Sequence, residues 1–399
     1  MPSNCLEPGA PAAAGAIPLS VPNIGGNEWR YVKECLDSGW VSSAGPFVDR
    51  FEAEFARAVG VPFAVATASG TAAIHLALLT AGIGPGDEVI VPSLTFIASA
   101  NAVRYTGACP VFVDVDPEYW QLDPDAVRAF LEEDCICTAD GIRNTHTGRR
   151  VAAILPVDLL GHPCDLARLA TIAREYNLAT VEDATEGLGA ERDGRRIGGD
   201  APVACFSFNG NKLISTGGGG MVTTHDGTVA ARVRYLSTQA KIDPLEFVHG
   251  DVGYNYRLTN LQAAVGCAQL ERLDEFLAAK RAIASRYSEE LGVLPGVTPM
   301  REPDWGRSAF WLSTILIDAP QFGMDSRQLL RALEAEGIQA RPLWQAMHRS
   351  PAHRDSHAAP CPVTERLTRD ALSLPCSTGL TGAEQDRVIS AIARVAQRS

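Results

Sequence analysis

Lysine is nearly absent from this chain. Four lysines, Lys33, Lys212, Lys241 and Lys280, are all that stand among 35 Lys and Arg residues, so any chemistry that needs a primary amine has few candidates. Positive charge as a whole is in deficit: 47 Asp and Glu give a formal net charge of −12. Bulk attraction to nucleic acid or to an anionic membrane surface is excluded, while a local basic pocket for a phosphorylated small molecule is not. No apolar run approaches 18 residues, so no membrane span is expected. The opening MPSNCLEPGAPAAAGAIPLS has neither a basic n-region nor a continuous apolar h-region. It reads as a flexible leader over residues 1–16 and not as a signal peptide, which points to the cytoplasm. The ten cysteines contain no C-x-x-C, and the nearest pair is Cys135 and Cys137. Neither a disulfide framework nor a metal centre is expected, and Cys109, Cys205 and Cys267 sit in apolar runs as small buried hydrophobes. Internal repeats are also missing.

What is present is an ordinary globular mixture, 46% hydrophobic and 21% charged over 399 residues. That excludes disorder, collagen and coiled coil and suits two domains sharing a cleft. From about residue 60 to 225, β-branched runs alternate with helix-like stretches: VPFAVA before TAAIHLALLTAG, DEVIVP before FIASANAVRYTG, PVFVDV before DPDAVRAFLEE, VAAILPVD before DLARLATIAREYN. ATVEDA, ACFSF and GGMVTT follow. The spacing predicts an α/β fold with a mainly parallel sheet covered on both faces and a ligand at the carboxyl ends of its strands. EEDCICTADGIRNTHTGRR (132–150) breaks the rhythm and reads as a surface excursion. One long helix is expected from Thr259 to Gly292, followed by a smaller α+β domain. The division is a large domain over 17–260 and a connecting helix with a small C-terminal domain over 261–399.

Three stretches carry chemistry. Ala68-Ser69-Gly70-Thr71 lies between a strand and a helix-forming run, where free N–H groups and the helix dipole favour a phosphate; a plain N-cap is the alternative. Glu182-Asp183 closes the strand ATVEDA. Side chains alternate along a strand, so only one of the pair can face a ligand, unless both serve a cap or a surface ion pair. In FSFNGNK, Lys212 is the one lysine in an apolar, glycine-rich setting, whereas Lys33 and Lys280 fall on helices beside acidic residues and Lys241 in a polar loop. Desolvation there favours imine chemistry; a phosphate-binding lysine is the alternative, although no G-x-x-x-x-G-K-[ST] surrounds it. A phosphate turn, a carboxylate and then a lysine together suit pyridoxal 5′-phosphate. That cofactor needs a phosphate anchor, an anion at its pyridine nitrogen and an amine for its aldehyde.

With those motifs, the chain from Ile17 onward resembles the DegT/DnrJ/StrS-type nucleotide-sugar aminotransferases, which are fold type I pyridoxal-phosphate enzymes. SGTAAIHLAL (69–78), GDEVIVPSLTFIASANAV (86–103), LLGHPCD (159–165), VEDATEGLGA (181–190), FSFNGNK (206–212), GGGGMVTT (217–224) and GYNYRLTNLQAA (253–264) carry the resemblance. It implies a seven-stranded, mainly parallel sheet. It also implies that Lys212 forms the internal aldimine and shuttles the proton at C4′, with pyridoxamine phosphate as the intermediate form. Asp183 would pair with the pyridine nitrogen, and Phe96 would stack on the ring. Ser69, Gly70, Thr71 and Ser207 would hold the phosphate. Asn255, with Arg257 nearby, would reach the phosphate across a homodimer interface. GNEWRYVKECLDSGWVSS would place Trp40, Ser42 and Ser43 near the sugar, and RPLWQAMH would bring in Arg341, Trp344 and His348.

Two departures from the family pattern bear on the substrate. Glu186 stands where most members have Gln, beside the cofactor's phenolic oxygen, so it is expected to be protonated or to share a proton with that oxygen. Asn209 stands where many have His or Tyr. EDATEGLG with FSFNGNKLISTGGGG and AKIDPLEFVHGDVGYNYR is most similar to the branch that makes 4-amino-4,6-dideoxy-N-acetylhexosamines for legionaminic acid and bacillosamine. The expected reaction is transamination of a UDP-linked 4-keto-6-deoxy-N-acetylhexosamine with L-glutamate. A perosamine-type or C3 aminotransferase on a GDP- or dTDP-keto sugar is the alternative, and a non-catalytic homologue or a dinucleotide-dependent oxidoreductase lies further off. The dehydratase members lack the lysine that is present at 212. His75 reads as a packing histidine, and His162, in LLGHP, either approaches the cofactor or is a satisfied structural histidine.

Overall fold

A computed structural model describes residues 15–243 and 245–396. Of the expected leader, residues 1–14 lie outside the described residues. Seven strands form the spine of a nine-stranded sheet: β1 (Phe63–Thr67), β2 (Asp87–Pro92), β3 (Cys109–Val113), β4 (Arg150–Ile154), β5 (Ala179–Asp183), β6 (Val203–Ser207) and β7 (Gly220–Thr224). Their order is β1-β7-β6-β5-β4-β2-β3. β7 runs antiparallel to both its neighbours, and the remaining pairs are parallel. The parallel strands are buried nearly end to end, as in-between helices covering both faces require.

The segment 132–150 is more ordered than a surface excursion. Cys135–Thr138 and Gly141–Asn144 make a hairpin that joins β4 through Arg143 and Arg150, which adds the eighth and ninth strands. Its alternation is short and its outer strand exposed, so it carries little periodic signal.

Helices α1 (Glu28–Ser38), α2 (Pro46–Val59), α3 (Gly70–Thr80) and α4 (Ile97–Tyr105) precede or cross the sheet. α3 is buried on almost every side, with His75 packed edge-on against Tyr254 at 4.9 Å between ring centroids. The helix expected over 259–292 is two helices, α5 (Asn260–Leu270) and α6 (Leu273–Leu291). A capping box, Thr259 with Gln262, starts α5. Arg272 leaves helical geometry at φ −109°, ψ 10°, and its guanidinium turns to Glu275 and Asn23. No glycine or proline marks that break, which is why the periodicity ran through it. α5 belongs to the core built on Phe51, Phe55, Phe206 and Phe208, whereas α6 starts on that core with Leu273 and Phe276 and carries Ile283, Tyr287 and Leu291 into a second core.

That second core lies under an antiparallel sheet of β8 (Val297–Pro299), β9 (Ser313–Ile317), β10 (Arg341–Pro342) and β11 (Ala371–Leu374), ordered β8-β9-β11-β10. The first described residues join this C-terminal lobe. Ile17 bridges to Ile338, and the carbonyl of Leu19 accepts a hydrogen bond from the N–H of Cys376 at 2.7 Å. Among the described residues no helix is long and apolar enough to cross a membrane.

Candidate active site

The antiparallel register of β7 places Gly220 opposite both Thr67 of β1 and Ser207 of β6. The turn into α3 therefore meets β6 across a position where no side chain fits. A Cβ on Gly220 would stand 2.5 Å from the carbonyl of Ser69, and one on Gly70 would stand 2.7 Å from Cβ of Ser207. Ser69 caps α3, its hydroxyl accepting from the N–H of Ala72 at 3.1 Å. The N–H groups of Gly70 and Thr71 have no acceptor among the described residues. A cradle of free N–H groups at a helix N-terminus, with Ser207 opposite, has the donor set of a phosphate site.

At the end of β5 the strand alternation divides two carboxylates. Asp183 is 1% exposed and faces a cavity of about 740 Å³ that opens between the two lobes. Its oxygens accept from Ser99 Oγ at 2.6 Å and from the N–H of Thr185 at 3.1 Å, so the carboxylate is held in one orientation. Glu182 points to the opposite face. It binds Arg192, whose guanidinium also reaches Asp158, in a fully buried cluster.

Lys212 enters the same cavity. Its Nζ lies 3.4 Å from Glu186 Oε1 and 3.9 Å from the centroid of the Trp311 ring. The other oxygen of Glu186 accepts from the N–H of Leu160 at 2.8 Å. Burial pushes the Glu186 carboxyl above its ordinary range, and the Lys212 ammonium opposes that rise. Of the remaining lysines, Lys33 pairs with Asp37 on an exposed helix face and Lys241 lies over the Phe247 ring. Lys280, on its expected helix, is 2% exposed and donates to the Trp311 carbonyl at 2.8 Å.

Ser69, Gly70, Thr71, Phe96, Asp183, Glu186, Ser207, Asn209, Lys212 and Arg341 all line this cavity, as does Trp344. Trp40, Ser42, Ser43, Asn255, Arg257 and His348 do not. The Trp40 and Ser42 carbonyls instead accept from Asn260, which anchors α5. Asn255 is exposed and bridges to Thr238, and Arg257 bridges to Thr67. His348 shares a hydrogen bond with Ser93 at 2.6 Å behind the cavity wall. Sequence reasoning did not single out Ser99, Thr95, Thr185, Asn211 or Trp311, which also line it. Ser99 lies inside a motif already noted, one turn into α4. Trp311 carried no local signal, because it lies in the apolar run AFWLSTILI, which reads as one strand although only Ser313–Ile317 is strand.

A phosphate cradle, a fixed carboxylate and an amine on three strand-end segments fit pyridoxal phosphate. The profile of the DegT/DnrJ/EryC1/StrS aminotransferase family matches residues 22–393. The chain belongs to that family. Its members are pyridoxal-phosphate-dependent sugar aminotransferases, and this protein is such an enzyme. It is 42% identical over 380 residues to GDP-perosamine synthase of Caulobacter vibrioides, covering 95% of this chain and 98% of that one. Among solved structures it is similar to S. venezuelae DesV in complex with a ketimine intermediate, with a TM-score of 0.84, 36% identity and coverage of 94% and 95%. It is also similar to DesI in the presence of its TDP-sugar product, with a TM-score of 0.86, 32% identity and coverage of 97% and 95%.

Proposed function

We propose that this enzyme moves the amino group of L-glutamate to C4 of a nucleotide-linked 4-keto-6-deoxyhexose. The observation that carries this reading is the placement of Lys212 and Asp183 on one cavity of about 740 Å³ with an aromatic wall of Phe96, Trp311 and Trp344. When bound, the cofactor supplies an electron sink that lets the Cα–H bond of the donor break. Asp183, held by Ser99 and Thr185, keeps a proton on the ring nitrogen. Lys212 Nζ takes the proton from Cα of glutamate and delivers it to C4′. In the second half it carries a proton from C4′ to C4 of the sugar. The N–H groups of Gly70 and Thr71, with Ser207, hold the phosphate. Glu186, whose carboxyl burial pushes upward, would share a proton with the phenolic oxygen, the role its place in the family pattern implies.

Similarity to a GDP-perosamine synthase supports a GDP-linked sugar as first choice. The motif set EDATEGLG, FSFNGNKLISTGGGG and AKIDPLEFVHGDVGYNYR supports the UDP-linked 4-keto-6-deoxy-N-acetylhexosamine as the second. Exposed Asn255 and the exposed apolar residues Ile242, Leu245, Phe247 and Val252 support a homodimer in which each copy completes the other's phosphate site. A panel of GDP-, UDP- and dTDP-linked keto sugars with glutamate, products resolved by NMR, tests the reading. A 4-amino product from a GDP sugar is expected. Turnover of UDP-linked acetamido sugars alone moves the assignment to the second reading, and amination only at C3 overturns both.

A further inference from the structure

The hairpin segment that the reaction leaves unused brings together a second set of functional groups. Asp134 ends the helix Pro124–Glu133, His146 lies in the turn between Asn144 and Arg150, and His357 lies on the C-terminal segment that runs beside β3. Each offers one donor atom, and these atoms all lie within 4.8 Å of one another. His146 Nε2 is 2.9 Å from Asp134 Oδ1. Ligands about 2.0–2.1 Å from a tetrahedral zinc sit only slightly further apart than this. The His146 and His357 rings lie face to face at 4.5 Å and 16°. His357 Nε2 is buried and has no hydrogen-bond partner among the described residues, which is costly for an imidazole nitrogen unless something binds it.

All three donors are anchored by main chain. The Asp134 carbonyl accepts from both the N–H and the hydroxyl of Thr145, at 2.8 and 2.9 Å, which fixes His146 one residue away. The His357 carbonyl accepts from the N–H of Phe112 at 3.0 Å, which fixes that segment on β3. The His146 side chain is 53% exposed, so the cluster is open to solvent on one side and has room for a water ligand. A second acidic cluster in the protein, Asp158, Cys164 and Glu182, lacks this character. The Arg192 guanidinium already occupies its centre, 2.8 Å from Glu182 and 3.5 Å from Asp158.

We propose that Asp134, His146 and His357 form a binding site for a divalent transition metal of the zinc class, which clips the hairpin to the C-terminal segment. Two imidazoles and one carboxylate suit zinc and its first-row neighbours, whereas magnesium and calcium prefer oxygen ligands alone. Because the ligands come from segments more than 200 residues apart in sequence, the site exists only in the folded chain, and metal should raise the melting temperature.

The test uses the full-length holoenzyme, stripped with a chelator and titrated calorimetrically with Zn²⁺. The expected result is one equivalent per chain and a rise in melting temperature. Loss of a ligand in His146→Ala or His357→Gln should weaken binding by at least the roughly 10- to 100-fold that follows removal of a supporting hydrogen bond, and should abolish the thermal shift. His146 is exposed, so its variant should fold normally, and circular dichroism at zero metal checks this. Unchanged Zn²⁺ affinity in the doubly substituted protein would overturn the proposal, as would the absence of stoichiometric binding to the wild type.

Discussion

The indole face of Trp311 lies 3.9 Å from Nζ of Lys212, and the same indole donates through Nε1 to the carbonyl of Asn211 at 2.7 Å. The ring thus holds the residue before the lysine and faces the lysine's charge at once. An aromatic face favours an ammonium by about 0.5–2 kcal/mol, less at exposed sites and more at desolvated ones. Trp311→Leu removes that contact and leaves both the Lys212 side chain and the Asn211 carbonyl without the ring that positions them. Apoenzyme carrying the substitution should capture pyridoxal phosphate more slowly, by about 2- to 30-fold for that energy, because the amine is no longer held at the cavity. Stopped-flow absorbance of cofactor binding reads the rate. Equal rates in the two proteins would mean that the ring only packs.

Gly70 is constrained by space. A methyl group there would press on Ser207 Cβ at 2.7 Å and on Thr185 Cγ2 at 3.1 Å, so the phosphate cradle would have to open. Gly70→Ala should weaken pyridoxal phosphate binding by about tenfold or more, and overpacking of this kind costs about 1–3 kcal/mol of stability. Equilibrium dialysis of the apoenzyme measures the first and urea denaturation the second. Gly84→Ala, where nothing lies within 4 Å, serves as the control and should change neither.

The parts of this site that were legible in the sequence are those fixed by local rules. Strand alternation requires that Glu182 and Asp183 face opposite ways, and they do. The parallel sheet follows from buried β-branched runs, and the turn at Ser69–Gly70 follows from the helix start. Trp311 was illegible for a different reason. It reaches the cavity because Phe310 adopts a left-handed backbone at φ 47°, which turns the chain before β9 begins at Ser313. That bend is set by tertiary contacts, among them the N–H of Ala309 donating to the carbonyl of Gly161 at 2.8 Å. The partner of Lys280 was illegible for a related reason: the carbonyl it reaches belongs to a residue 31 positions away.

Arg192 balances the buried carboxylates behind the active-site strand. It bonds Glu182 at 2.8 Å and reaches Asp158 and Asp200, with a side chain only 4% exposed. Breaking such a cluster on one side leaves unpaired buried charge, which costs about 3–5 kcal/mol. Arg192→Leu should therefore lower unfolding free energy by that amount in urea at neutral pH. Burial, with Glu182 beside it, pushes the Asp158 carboxyl well above its ordinary range, so the deficit should shrink as pH falls and that acid takes up its proton. A loss under 1 kcal/mol would show that Arg192 does not hold the cluster together.

His162 gives the protein a specific acid sensitivity. The ring is fully buried against Phe310, with Nδ1 sharing a hydrogen bond with Ser308 Oγ at 2.8 Å and Nε2 unpartnered among the described residues. Burial pushes its pKa down from 6.5 to about 3, with Glu302 opposing and Arg281 adding to the fall. The unfolded chain therefore binds more protons than the folded one between these two values. Stability from this group is complete above pH 6.5 and declines as pH falls toward 3. At pH 5 the loss is about 2 kcal/mol relative to pH 7.5. Urea unfolding of the wild type and of His162→Gln at both pH values isolates it. The wild type should lose about 2 kcal/mol more than the variant between pH 7.5 and 5. Parallel losses in the two proteins would place the acid sensitivity elsewhere, in the paired carboxylates.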